Sequence, residues 1–228
     1  KGLELWYILM SNDFKKYLIL GFLFFFPIFV YVFLSTGINN FARLPVLTEK
    51  VNDIKNLDGN ESEVSFKDKI SIVGFWGGDI ENKKSEALNL NQKIYKRFYE
   101  FQDFQFVIIY NKEESQAITD LKAELISGVG TDLKKWNFIP TTQTNIEMVF
   151  DSFKTNLELD KNYSTPYVFI VDRDLSLRGR DDDEDIGLLY GFNSQSVAEI
   201  NNKMVDDVKI ILAEYRLALK KNDSLFNE

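Results

Sequence analysis

The most apolar stretch of the chain lies near its start. Residues 17–34 (YLILGFLFFFPIFVYVFL) contain no charged side chain, and the uncharged run continues to Ala42. A helix rises about 1.5 Å per residue, so this run is long enough to cross a hydrocarbon core of about 30 Å. Pro27 lies inside it, and a membrane helix tolerates proline better than a soluble helix does. The pattern predicts one transmembrane helix over residues 17–38.

A cleaved signal peptide is the competing interpretation of this stretch. Its apolar core would be only about 7–15 residues long, and a small-residue cleavage site should follow. No convincing site follows, so a retained anchor is favoured. Lys15 and Lys16 precede the span, and the positive-inside rule therefore makes residues 1–16 a cytoplasmic or interfacial segment. We expect a single-pass protein of the bacterial inner (cytoplasmic) membrane with a periplasmic C-terminal domain.

After the span, the periodicity alternates between buried strands and amphipathic helices. Continuous apolar runs, typical of strands buried on both faces, cover residues 70–76, 104–110, 136–139 and 167–171. Helical spacing covers residues 82–101, 113–125, 142–153 and 194–221, and Ser196 and Glu199 could cap the last helix. Residues 175–180 are predicted to return as a hairpin partner of the fourth strand.

The order of these elements predicts the fold class and the domain organisation. A β-α-β-α-β-α-β-β-α order is satisfied by an α/β fold with a mixed sheet flanked by helices on both faces. We expect one such domain over residues 58–228. Residues 39–57 are interpreted as a tether that leads into a first hairpin.

Composition then excludes several classes of chemistry. The 228-residue chain has no cysteine and no histidine, and 35 acidic against 27 basic residues give a net charge of -8. Disulfides, thiol catalysis, Cys- or His-ligated metals and serine triads all need side chains that are missing. The acidic balance disfavours non-specific nucleic-acid binding. We therefore expect no cofactor, no metal site and no nucleic-acid partner.

The element order, with Thr165-Pro166 directly before the YVFIV strand, resembles the thioredoxin fold. In that fold a proline at this place is usually cis and lies opposite the active-site loop. Within the fold, the chain looks most like the Sco/SenC group, through ISIVGFWGGDIENKKSEALNLNQKIYKRF, FQFVIIY, WNFIPTT and TPYVFIVDRD. The resemblance implies an N-terminal membrane span, an outer thioredoxin-like domain and a role in copper delivery to cytochrome oxidase.

The departures from this group concern its ligands. Sco proteins carry Cys-x-x-x-Cys after the first buried strand and a histidine later in the chain. The matching positions here fall near Gly78 and Asn82, and near Tyr163 or Ser164. A copper site of the Cys/His type cannot be built from these side chains, and dithiol exchange needs a thiolate. The chain is therefore predicted to be a degenerate, non-enzymatic member.

The degenerate loop is predicted to persist as a docking surface, because in active relatives this surface meets partner proteins. The alternative is a silent remnant. Trp76 is expected to face Thr165 and Pro166 as an exposed aromatic contact, although core filling is the usual role of such a ring. The candidate residues are Trp76, Gly77, Gly78, Asp79, Asn82, Thr165 and Pro166.

These features favour an accessory subunit or assembly factor of an integral membrane protein complex. The resemblance points to a respiratory complex, either cytochrome oxidase or its supercomplex. One alternative is an enzyme that uses Asp79 and Glu81 as a carboxylate pair. Another is a ligand- or calcium-binding module built on an acidic run, although contiguous carboxylates cannot all point at one ion and a solvated surface insertion is favoured. The run consists of Asp181, Asp182, Asp183, Glu184 and Asp185.

Overall fold

The computed structural model describes residues 12–35, 43–130 and 132–226. The chain divides into two compact units, Lys1–Phe41 and Ala42–Glu228. The described part of the first unit is helix α1 (Asn12–Ser35), which contains Pro27. Its segment Phe14–Phe33 is long and apolar enough to cross a membrane, as the sequence predicts, although a signal sequence would meet the same criterion. Residues 1–11 and 36–42, which belong to the predicted N-terminal segment, span and tether, lie outside the described residues.

The second unit is built on a mixed sheet of seven strands. The strands are β1 (Val46–Thr48), β2 (Ile70–Gly77), β3 (Phe104–Asn111), β4 (Trp136–Thr141), β5 (Tyr167–Val171), β6 (Leu177–Arg178) and β9 (Phe192–Asn193). Their order in the sheet is β1-β6-β5-β2-β3-β4, with β9 paired to β5. β2, β3 and β4 run parallel, whereas β5 is antiparallel to β2. A separate hairpin joins β7 (Arg180–Asp183) to β8 (Gly187–Leu189).

The helices follow the predicted order, with 3-10 and π turns at several of their ends. After β2 come a 3-10 turn (Ile80–Lys83), α2 (Lys84–Leu90), a π turn (Asn91–Tyr95) and α3 (Lys96–Phe98). Next are a 3-10 turn (Lys112–Glu114), α4 (Ser115–Val129) and α5 (Gln143–Asp151). The last are α6 (Val197–Glu199), a π turn (Ile200–Met204) and α7 (Val205–Phe226). The predicted cap is confirmed, because Ser196 Oγ accepts a hydrogen bond from the Glu199 amide.

The central strands explain why their sequences are apolar throughout. Every residue of β2 and β3 is buried, because helices or loops cover both faces of the sheet. One face, which carries Ile72 and Phe106, packs against the helices after β2, against α4 and against the C-terminal helices. The other face, which carries Val73 and Phe75, packs against α5 and residues 51–66.

Residues 43–57, the described part of the predicted tether, belong to the second unit. The compact unit begins at Ala42, well before residue 58, and Val51, Ile54 and Leu57 are buried in it. These side chains cover part of a sheet face that α5 alone leaves open. The predicted first hairpin is absent from the described chain, because β1 pairs instead with the distant strand β6.

Candidate functional site

The degenerate loop follows β2 and lies directly against the segment before β5. Gly77 has a φ of +51°, in the left-handed region, and a Cβ there would overlap the carbonyl oxygens of Asn162 and Tyr163. The Gly78 amide donates a hydrogen bond of 2.8 Å to the Asn162 oxygen. Only glycine combines this backbone angle with so close an approach of another chain segment. The glycine at position 77 is therefore required by the contact between the two loops.

The segment before β5 is fixed by its own hydrogen bonds. Asp160 Oδ1 accepts from the amides of Asn162 at 2.8 Å and Ser164 at 2.9 Å. The Thr165 amide donates to the Phe75 oxygen at 2.9 Å, which holds the Thr-Pro pair beside the end of β2. The resemblance implied a cis peptide bond at this place, but the Thr165–Pro166 bond is trans.

Trp76 does not lie on the surface of this site. Its side chain is 0% exposed, and the centroid of its ring lies 6.3 Å from the ring centroids of both Trp136 and Phe138. Successive side chains of a strand point to opposite faces, so Trp76 joins Ile70 and Ile72 on one buried face. The expectation of an exposed aromatic contact at this position is wrong, and core filling accounts for the residue.

The accessible part of the predicted surface is small and polar. Gly78, Asp79 and Pro166 are partly exposed, and Asn82 is exposed, whereas Gly77 and Thr165 are buried. Asn82 Nδ2 donates to Asp79 Oδ1 at 2.6 Å, which ties the two ends of the turn together. The structure therefore brings the predicted residues together but leaves only four of the seven open to a partner.

A buried ion pair, which the sequence analysis missed, lies behind this surface. Lys83 Nζ lies 3.1 Å from both carboxylate oxygens of Glu86, and the two side chains are only 4% and 2% exposed. The ammonium also donates to the Thr165 oxygen at 3.2 Å. The carboxylate accepts from Ser194 Oγ at 2.8 Å and from Gln195 Nε2 at 3.0 Å. One pair thus connects the start of α2, the Thr-Pro segment and the loop before α6.

The spacing of this pair was visible in the sequence, but its burial was not. Lys83 and Glu86 are three residues apart, which places them on one side of a helix. Charged side chains at such a spacing are normally solvated, because lysine and glutamate are rarely buried unless they are paired. The approach of Thr165 and Ser194, both distant along the chain, is what encloses them.

Neither alternative site gains support from the contacts of its residues. Asp79 is engaged with Asn82, and Glu81 lies instead along a neighbouring cleft of about 290 Å³ that is also lined by Asp120 and Glu124. Within the described residues, no group of three or more acidic side chains is placed to hold a metal ion.

The acidic run lies in the β7–β8 hairpin, and two of its five carboxylates pair with Lys203. Asp183 is buried, and its Oδ1 accepts from Lys203 Nζ at 2.7 Å, while Asp185 lies 2.6 Å from the same ammonium. Burial raises the pKa of Asp183, but the hydrogen bonds from Lys203 and from the Asp185 amide outweigh burial and leave this pKa lowered. Only part of the run is therefore a solvated surface, because Asp183 anchors the hairpin to the C-terminal helices.

Neither a protein-family model nor a curated protein sequence matches this chain. Several solved structures share its fold, including the following two. BsSco, described as a member of the Sco family of cytochrome c oxidase assembly proteins, is 14% identical with a TM-score of 0.50 and is matched over 75% of this chain and 98% of its own. A SCO1/SenC family lipoprotein from Bacillus anthracis strain Ames is also 14% identical with a TM-score of 0.50, over 75% of this chain and 99% of its own. The predicted fold is therefore confirmed: the second unit is thioredoxin-like, and its structural neighbours include Sco/SenC proteins.

Proposed function

We propose that this chain is a non-catalytic, membrane-tethered thioredoxin-like protein that binds a partner through its degenerate loop. The observation that carries the proposal is the state of that loop. The surface where the Sco/SenC resemblance places two cysteines and a histidine is formed by glycine, aspartate, asparagine and proline, while its backbone is held by the contact at Gly77. No residue of the loop can carry out dithiol exchange or supply the Cys/His ligands of a copper site, yet Gly78, Asp79, Asn82 and Pro166 stay accessible.

The partner that we propose is an integral membrane complex of the respiratory chain, such as cytochrome oxidase or its supercomplex. The structural neighbours support this step, because BsSco is described as a member of a family of cytochrome c oxidase assembly proteins. The chain would act there as an accessory subunit or assembly factor. Function depends on sites rather than folds, so this assignment needs its own experiment.

The apolar helix supports a retained anchor in this proposal. Lys15 and Lys16 lie at its start, and under the positive-inside rule they support a cytoplasmic location for that end. The thioredoxin-like unit would then lie on the periplasmic side of the bacterial inner membrane. Labelling of single cysteines introduced at Asn12 and Asn201 with a membrane-impermeant reagent tests this topology, because only the second should react in intact spheroplasts.

Quantitative co-purification tests the proposed partner. The full chain, extracted in mild detergent, should migrate with a large complex on a native gel, and mass spectrometry should find respiratory oxidase subunits with it. Asn82→Arg places a bulky cation on the exposed loop and should reduce the recovery of these subunits severalfold. Asn201→Arg, at an exposed position of the π turn in the C-terminal helix, is the matched control and should leave recovery unchanged.

Two results would overturn the proposal. If the extracted wild-type chain migrates as a lone monomer, it has no stable partner and the proposal is wrong. If Asn82→Arg recovers as many oxidase subunits as wild type does, the degenerate loop is not the contact surface. Recovery of a different membrane complex through the same loop would retain docking and reject the respiratory assignment.

A further inference from the structure

A second concave site lies at the other end of β2, away from the degenerate loop. The cleft has a volume of about 320 Å³, close to the lower limit of small-molecule pockets, which span about 300–1,000 Å³. Its residues come from the start of β2, the turn before β3, the turn after β5 and helix α7. They are Ile70, Glu100, Phe101, Gln102, Asp103, Arg173, Leu212, Tyr215 and Arg216.

The inner part of this cleft is apolar. Ile70 and Leu212 belong to the core, and the partly exposed ring of Phe101 stands beside them. Tyr215 contributes a further aromatic wall. Burial, together with the negative charges of Asp172 and Asp174, raises the pKa of Tyr215, so the phenol stays neutral at physiological pH. An apolar group in the cleft would therefore contact carbon surface rather than charge.

The rim of the cleft carries two arginines, and among the described residues only one of them is engaged by a carboxylate. Arg173 lies 3.6 Å from Asp103, but the same carboxylate is also shared with Lys69 at 3.3 Å. Arg216 is exposed and has no carboxylate within ion-pair distance among the described side chains. Glu100 is the other acid of the lining, so two arginines face two carboxylates there, and Arg216 is the one whose guanidinium is left for a ligand.

We propose that this cleft binds a small molecule with one anionic group on a short apolar body. The anion lies at the guanidinium groups of Arg216 and Arg173, and the apolar body lies on the carbon surface beneath them. Guanidinium groups suit this role, because they are always charged and form two parallel hydrogen bonds to a carboxylate or phosphate. A medium-chain carboxylate and the head region of an anionic lipid share this chemistry.

A ligand-detected NMR titration of hexanoate tests the site, with the full chain held in nanodiscs of zwitterionic phosphatidylcholine and empty discs as the blank. Hexanoate should bind saturably at one site, whereas hexanol and hexylammonium should not. Arg216→Gln should weaken binding about tenfold, the effect of one charge-assisted hydrogen bond. Gln102→Trp, which places a large ring at the exposed rim, should abolish binding. Arg97→Gln, an exposed arginine outside the cleft, is the matched control and should bind like wild type.

The outcomes separate the two sources of the ligand. Hexanoate binding that is lost in discs of anionic phosphatidylglycerol identifies the lipid as the occupant, and unchanged binding identifies a soluble carboxylate. The proposal is overturned if hexanoate shows no saturable binding, or if Arg216→Gln and Gln102→Trp bind it as wild type does. Either result leaves docking at the degenerate loop unaffected, because none of these variants touches residues 76–82.

Discussion

Replacing Glu86 by glutamine would leave the Lys83 ammonium buried without its counter-ion. Both side chains are almost completely enclosed, so solvent screens their interaction little. Removal of one partner of a buried pair costs about 3–5 kcal/mol. Glutamine keeps one acceptor oxygen, and Lys83 keeps its bond to the Thr165 oxygen, so we expect a loss at the lower end, about 3 kcal/mol. In Lys83→Met/Glu86→Gln neither charge remains, and we expect a loss of no more than about 1 kcal/mol.

Urea unfolding of the full chain in mild detergent measures this difference. Trp76 and Trp136 are buried in the thioredoxin-like unit, so their fluorescence reports its unfolding. With an m-value of about 2 kcal/mol per molar urea, Glu86→Gln should lower the midpoint by about 1.5 M. Asp206→Asn breaks the exposed Lys209–Asp206 pair, which has the same three-residue spacing, and serves as the control that should not shift the midpoint measurably.

Hydrogen exchange gives a second, local reading of the same perturbation. The amides of Thr165 and Ser194 should exchange faster in Glu86→Gln, because Thr165 is bound to Lys83 and Ser194 to Glu86. The interpretation fails if the double variant is as unstable as Glu86→Gln. That result would mean that the lost packing, and not the unpaired charge, causes the effect.

Three further predictions concern the glycine, the acidic hairpin and the missing ligands. Gly77→Ala should lower the free energy of unfolding by at least about 2 kcal/mol, because of its positive φ and the close carbonyl oxygens. Gly128→Ala, in open space within helix α4, should raise this free energy by about 0.5–1 kcal/mol, and urea unfolding of both variants measures the two changes. The folded-state pKa of Asp183 is lowered, so its ionised carboxylate stabilises the fold above its unfolded pKa of about 3.9. This stabilisation is lost as pH falls through the folded-state pKa. In Asp183→Asn, the free energy of unfolding measured between pH 2 and 7 should therefore fall less steeply at acid pH than in wild type. Copper titration should detect no binding, and an insulin-reduction assay should give no rate above that of buffer alone. Stoichiometric high-affinity copper binding would contradict the proposed function.

The central sheet was predictable from the sequence because strands buried on both faces need uninterrupted apolar runs. Strand β5 has the predicted bounds, Tyr167–Val171. The helix after β2 was predicted as one element, but it contains a 3-10 turn and the π turn Asn91–Tyr95. Hydrophobic spacing does not distinguish these turns from an α-helix, because all of them place apolar residues on one side within three to five positions.

Residues 43–66 could not be predicted in the same way. Their buried side chains follow neither a helical nor a strand period, which is why the pattern of residues 39–57 predicts a tether. Their structure depends instead on side-chain bonds: Asn60 donates to the oxygens of Ile54 and Val64 at 2.8 and 2.7 Å. Asp53 likewise accepts from the Phe66 amide at 2.8 Å. Such bonds between a side chain and a nearby loop backbone leave no periodic pattern in the sequence.

The candidate site was predictable in its placement but not in its exposure. The thioredoxin resemblance predicts that Thr165 and Pro166 lie opposite the degenerate loop, and the Thr165 amide does bond to the Phe75 oxygen near the end of β2. The burial of Trp76 could have been found, because strand alternation from Ile72 puts both side chains on one face. The Lys83–Glu86 pair could not, since its enclosure requires groups more than 80 positions away along the chain.

The buried pair also bears on whether the degenerate loop is a docking surface or a silent remnant. Well-packed apolar side chains in place of a buried ion pair are often as stabilising or more so, so stability alone does not require Lys83 and Glu86. What the pair adds is directional bonding, which holds the Thr165 oxygen and the Ser194 hydroxyl at one geometry behind the loop. A surface that is ordered before binding loses less conformational entropy when a partner docks. On this physical ground, the directional bonds behind the loop support the proposed contact with a partner over a silent remnant.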